Sequence, residues 1–287
     1  MKTHFLFVAI WMVALLLAMA AFLLVSCNSN NDTSAQNTLA NNNDEVVSTK
    51  GGTPSLPVTV TDYDGNVYKT VQIGNQLWMA ENLKTTHFDN GESITHLAKT
   101  SDYTAWFKAY WEYPSEQTNG NTYGLLYNWK AVMHNASSSN RNPSGVQGIC
   151  PNGWHVPSSA EWKELTDYVS SQNEYLCGNN YASYAKALAG ASGWESSANS
   201  CSVGYDQFKN NATKFNALPA SLCYADSKNG ILDVIRCYPI GRIACFWTTT
   251  EKDNQSAYMC GFGCEDTVVV NTEMYTTSGL SVRCVKD

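Results

Sequence analysis

Residues 150–165, CPNGWHVPSSAEWKEL, restrict the fold more than any other stretch, because a cysteine, a turn, a Trp and a fully specified helix start fall together there. Ser158 is a good N-cap, and Glu161 stands three positions on, where its carboxylate reaches back to the backbone N–H of the cap. Pro157 keeps Val156 extended and sharpens the boundary. Trp162, Leu165 and Val169 recur at i, i+3 and i+7, an apolar stripe that needs a core, while Lys163, Glu164 and Asp167 fall on the solvent side. A helix over 158–171 follows. Upstream, Asn152-Gly153 reads as a turn, and Trp154 and Val156 alternate around His155 as in a short strand.

Other blocks repeat this density of aromatic and turn residues. Residues 76–83 read QLWMAENL, 123–129 read YGLLYNW, 215–219 read FNALP, 246–250 read FWTTT and 279–285 read GLSVRCV. In composition and order these blocks, with CPNGWHVPSSAEWKEL, resemble the Fibrobacter succinogenes major paralogous domain, common in predicted surface lipoproteins of Bacteroidota-type bacteria. The resemblance runs from about Val58 to the C-terminus. It implies an α+β, C-type-lectin-like fold with a mostly antiparallel sheet and two main helices, distantly shared with formylglycine-generating enzymes. Such folds often tie the first helix region to the last strand, which makes Cys150 with Cys284 the candidate disulfide. Fold kinship does not transfer function.

The N-terminus bears on location. Lys2 gives a short basic region, and residues 5–25 are almost wholly apolar, a membrane-targeting segment whose length alone fits either a signal peptide or a span. Leu24-Val25-Ser26-Cys27 resembles a bacterial lipobox, so residues 1–26 read as a lipoprotein signal peptide and Cys27 as the lipidated residue. Asn28 follows where an Asp would, in proteobacteria, favour inner-membrane retention, so the outer membrane or cell surface is the expected location. Residues 27–57, rich in Asn, Ser and Thr and closed by Gly51-Gly52, Pro54 and Pro57, read as a flexible tether.

Residues 58–287 are long enough for one core that buries roughly 70% of the unfolded surface. Alternation over 58–61 and 67–73, with turns at Asp64-Gly65 and Gly74-Asn75 and a return over 76–79, predicts a meander. Strands are also expected at 245–250, 257–262, 267–271 and 280–285, and a second helix at 181–189. A net charge of −7, with 18 thinly spread basic residues, gives no phosphate-tracking surface, so nucleic acid is excluded as a partner class.

Setting Cys27 aside leaves nine cysteines, an odd number, so at least one thiol is unpaired or intermolecular. Cys237 with Cys245, and Cys260 with Cys264, are close enough to close small loops, although spacing does not fix connectivity. Zinc is the competing use for cysteines with His87, His96, His134 or His155, but no C-x-x-C occurs and the histidines are scattered; no metal and no cofactor is expected.

Two functional classes remain. The enzyme reading is an oxidase related to formylglycine-generating enzymes, which hold copper on a cysteine pair near the C-terminus. Cys260 and Cys264 lie in the corresponding region, but with three intervening residues instead of four and with Glu265-Asp266 beside them, a poor setting for a thiolate. No G-x-S-x-G, H-E-x-x-H or calcium-loop motif suggests a hydrolase. The binding reading treats the domain as a non-enzymatic binding or structural module for carbohydrate or protein. Lectin-type calcium loops are absent, since Trp247 is followed by Thr248-Thr249, so aromatic stacking is the remaining mode. Trp106, Tyr110 and Trp111, within an aromatic run that also fits a helix packed through Tyr103, Trp106, Tyr110 and Tyr113, are the candidate ligand residues. The expected protein is a lipid-anchored surface module whose partners are the membrane and a glycan or surface protein.

Overall fold

The computed structural model describes residues 59–97, 109–111, 119–178, 183–228 and 231–287. The proposed signal peptide, Cys27, the tether and Trp106 lie outside the described residues.

The chain enters as a meander. Strand β1 (Thr59–Thr61) pairs antiparallel with β2 (Val67–Ile73), and β2 with β3 (Gln76–Met79). Asp62 closes the first turn by accepting from the backbone N–H and side-chain amide of Asn66, both at 2.9 Å. Gly74 makes the second with φ +57°, a conformation glycine adopts without cost. Two distant segments complete this sheet. Strand β7 (Trp154–His155) and the C-terminal β13 (Val285–Lys286) add in the order β1-β2-β3-β13-β7, with Val285 opposite Trp78 on one side and His155 on the other.

A second sheet, β10 (Ile243–Glu251), β11 (Ser256–Gly263) and β12 (Val270–Tyr275), divides the interior. Strand β10 is buried on both faces, which is why its sequence runs apolar without alternation. Its Ile243, Cys245 and Trp247 join one core with Met79, Leu83, Tyr127 and Met259, whereas Ala244 and Phe246 join the other with Trp162, Phe215, Cys260 and Phe262.

Helix α3 (Ser159–Ser171) covers the second core; the labels α1 (Asn119–Tyr123) and α2 (Trp129–Met133) belong to two short helices before it. Ser158 and Glu161 form the expected capping box, and Trp162, Leu165 and Val169 are buried. Trp162 lies 5.0 Å from Trp78, 5.7 Å from Phe215 and 5.3 Å from Phe246, ring to ring. Arg283 packs over Phe215 at 4.4 Å and donates to Asn82 Oδ1 (2.9 Å), to the Asn216 carbonyl (2.8 Å) and to the Phe215 carbonyl. Burial lowers its guanidinium pKa to about 9. Asn82 also donates to the Tyr123 carbonyl at 2.8 Å, and Gly124 (φ +79°) is tight against Leu83, where a Cβ would stand 2.7 Å from the carbonyl oxygen. The ENL, YGLLYNW, FNALP and VRC blocks thus interlock as one scaffold.

Three expectations about elements need correction. Residues 109–111 are not helical: Ala109–Trp111 forms strand β5, parallel to β4 (Thr95–His96) and antiparallel to β6 (Leu126–Tyr127). Aromatic spacing mimicked a helical period, but pairing with distant strands prevails. The second main helix is only α4 (Ala185–Leu188), ended where Ala189 bridges Ala217. The strand expected at 267–271 starts at Val270, and of 280–285 only the last residue enters a strand, while Leu280 and Ser281 make single bridges. An antiparallel hairpin of β8 (Cys223–Lys228) and β9 (Ile231–Cys237) was not anticipated. The molecule is therefore α+β in a loose sense: mainly antiparallel sheet with, among the described residues, one helix longer than five residues.

Disulfides join Cys150 to Cys284, Cys177 to Cys201 and Cys223 to Cys237, the first across 134 positions with Cα atoms 5.9 Å apart. Neither short loop considered for Cys237–Cys245 or Cys260–Cys264 is closed, because Cys237 pairs across the unexpected hairpin and Cys260 is a free thiol. Among the described residues, no helix is long and apolar enough to cross a membrane.

Candidate binding site

The residues singled out in the sequence do not converge. Trp111 lies in β5, and Tyr110 beside it is 7% exposed, its ring stacked on His96 at 4.9 Å and tilted against Tyr127. Tyr110 therefore stands behind the surface, supporting the small sheet, and offers no open face for a ligand. The four histidines sit apart: His87 on Asp64 (2.6 Å), His134 on Glu92 (3.0 Å) and against Phe88 (3.7 Å), His96 on Tyr110, and His155 on α3. Among the described residues no three His, Cys, Asp or Glu side chains cluster as metal ligands would.

His155 has the outward form of a proton relay. Its Nδ1 lies 2.7 Å from Asp287 Oδ1 and its Nε2 2.6 Å from Glu161 Oε1, and the ring is 2% exposed. Burial alone would lower its pKa, but the hydrogen bonds and charges of Glu161 and Asp287 prevail and raise it. Glu161 Oε2 meanwhile accepts from the N–H groups of Ser144 (3.0 Å) and Ser158 (2.9 Å). The arrangement ties the helix start, strand β7 and the C-terminal residue together, and every oxygen of Glu161 is occupied in doing so.

The free thiols are equally enclosed. Cys245 and Cys260 occupy adjacent strands but belong to opposite cores. Burial, with a smaller effect from Asp266, pushes the Cys245 thiol up to about 12; burial and Cys245 raise that of Cys260. Both are protonated and poorly nucleophilic at neutral pH.

Open concave surface occurs on both flanks of α3. On one flank a cleft of about 550 Å³ runs between the helix and the β2–β3 turn, lined among others by Gly74, Asn75, Asn142, Glu164, Asp167 and Tyr168. Tyr168 is 37% exposed, and a Cβ at Gly74 would stand 3.0 Å from its ring, so the glycine backs one part of the ring while the rest faces the cleft. Asn142 Nδ2 donates to Glu164 Oε2 at 2.5 Å, and Lys163 is held by Asp167 at 2.6 and 2.8 Å. Among the described residues none bonds the Asn75 amide or the Tyr168 hydroxyl. On the other flank is a smaller pocket of about 370 Å³, with Trp162, Cys260 and Val269 as apolar lining and Asn140, Ser159, Thr166 and Asn271 as polar lining.

Sequence reasoning missed these surfaces, since their walls come from segments far apart in the chain. The one local signal was the Gly74-Asn75 turn three residues before Trp78, opposite a helix whose solvent face carries Tyr168.

Neither a search of curated proteins nor one of solved structures returned a match. The sequence blocks that interlock as scaffold all fall within residues 71–286, the stretch matched by the family model of the Fibrobacter succinogenes major domain, and the chain belongs to that family.

Proposed function

We propose that this protein is a lipid-anchored module of the outer membrane or cell surface that binds carbohydrate without catalysing a reaction on it. The cleft beside α3 carries the reading. Its volume is in the range of ligand sites. It combines a half-exposed Tyr168 ring with amides at Asn75 and Asn142 and a carboxylate at Glu164, groups that match the apolar face and the hydroxyls of a sugar. The anchoring rests on the lipobox-like Leu24-Val25-Ser26-Cys27 and on the family membership. A C-type-lectin-like ancestry is part of the proposal, supported by the Cys150–Cys284 bond and by terminal strands sharing one sheet.

The aromatic run at Trp106 and Trp111 is the competing location, and an oxidase is the competing class. A glycan array followed by titration of the best ligand separates them. Tyr168→Ala is expected to weaken binding about tenfold, roughly the loss of a well-packed aromatic contact. Unchanged binding in Tyr168→Ala with loss in Trp106→Ala or Trp111→Ala would move the site. Absence of glycan binding by the wild type would sink the carbohydrate reading, and copper retained through purification would sink the non-enzymatic one.

A further inference from the structure

Phe208 is 93% exposed, the most solvent-facing large apolar side chain among the described residues, and Tyr205, three positions before it, is 44% exposed. Both stand on the loop of residues 201–216. Eight non-glycine residues among those described have positive φ, and five of them, Cys201, Asp206, Asn211, Lys214 and Asn216, fall in this loop. Such conformations persist only where the surroundings enforce them. Here the buried Lys186 of α4 donates to the carbonyls of Ser202 (3.2 Å), Asp206 (3.3 Å) and Tyr205. Gln207 exchanges two bonds with the backbone of Trp194, accepting at 3.1 Å and donating at 2.8 Å. Asn210 Nδ2 donates to the carbonyls of Gly190 (3.0 Å) and Val203 (3.1 Å). The loop is thus clamped from beneath while its ring is left in water, the arrangement of an anchor held ready for something outside the described chain.

Shape and charge decide the kind of partner. A ring so fully exposed stands out from the molecule and lines no cleft for a small ligand. It also offers only a fraction of the roughly 800 Å² that one side of a stable protein interface buries. Its exposed companions in the loop are Tyr205, Asp206, Lys209, Ala212 and Lys214. Asp206 is the sole carboxylate of residues 196–216 and is paired with Lys209 at 2.7 Å, so Lys214 leaves the patch weakly positive in a chain of net charge −7. A protruding aromatic ring with a lysine rim and no free carboxylate suits the headgroup layer of an anionic bilayer, which moulds itself to a convex shape. The chain also brings a bilayer within reach. Residues 28–58 separate Cys27 from β1. Read as a tether, they reach roughly 30 Å, against a radius of gyration of about 17 Å for a domain of this size.

We propose that the 201–216 loop docks on the anionic membrane to which the N-terminus is attached, with Phe208 and Tyr205 entering the headgroup layer and Lys209 and Lys214 at its surface. The contact is weak alone, and tethering raises the effective concentration of lipid to about the millimolar range, which populates it. Docking fixes which face of the domain looks away from the bilayer. The inference rests on the membrane anchoring proposed above and is independent of the glycan cleft.

The test uses the full-length protein reconstituted through its N-terminus into vesicles of phosphatidylethanolamine and phosphatidylglycerol. Phe208→Trp places an indole at the loop tip, and the emission it adds over wild type is expected to be quenched by lipids brominated in the upper acyl chain. Lys209→Gln on that background is expected to lower the ratio of docked to undocked domain about fivefold, the value of one basic side chain at an anionic surface. Both positions are exposed, so both variants are expected to melt as wild type does. Wild type that fails to float with the vesicles overturns the anchoring and this inference with it. Flotation with added emission that brominated lipid leaves untouched overturns this inference alone. Emission that follows the number of protein copies per vesicle, and not the brominated lipid, assigns the loop to a protein contact and also overturns it.

Discussion

His155 is held between two carboxylates, and its raised pKa makes it a stabilising cation. A histidine whose folded pKa exceeds the unfolded value, about 6.5, stabilises fully below that value and loses the contribution as pH rises through the folded pKa. The stability difference between wild type and His155→Gln in urea unfolding is therefore expected to be largest below about pH 6.5 and to shrink as the pH rises above it. Its low-pH size should be about 3 kcal/mol, typical of breaking a buried pair. A difference independent of pH would show that the ring is held neutral. Cys245 and Cys260 give a second residue-level expectation. Both should resist alkylation in the native protein and react on denaturation, as peptide mass spectrometry would reveal; native labelling of either would contradict their burial.

Helix α3 was readable because its information is local: the cap, the reciprocal glutamate and the apolar stripe all lie within fourteen residues. Ser158→Ala should cost about 1 kcal/mol through the cap, with a further loss from its bond to the Arg141 carbonyl at 2.6 Å. A melting temperature unchanged from wild type would remove the cap from the account of stability. Strand β5 and the β8–β9 hairpin were not readable in the same way. Tyr110 and Trp111 become strand residues only because β4 and β6 are presented to them, and Cys223 to Lys228 carries polar residues that do not alternate. The clefts share that property. Tyr168 was a solvent-face residue in the helical pattern, and only the β2–β3 turn, some ninety positions earlier, gives it a facing wall. Gly74→Ala is expected to strain that turn and displace the Tyr168 ring, weakening glycan binding along with stability.

At the scale of the molecule, the Cys150–Cys284 bond closes a loop of 134 positions. Replacing both cysteines with alanine should remove about 2–5 kcal/mol and lower the urea midpoint. The same replacement at Cys223 and Cys237, which close 14 positions, should remove less if chain entropy dominates. Equal losses would point to local packing instead. The position of β13 has a consequence in time as well as space. Because Val285 and Lys286 fill the gap between β3 and β7, the sheet begun by the first strands stays incomplete until those two residues have been synthesised. Deleting Val285 and Lys286 would leave the three strands β1-β2-β3 cut off from β7.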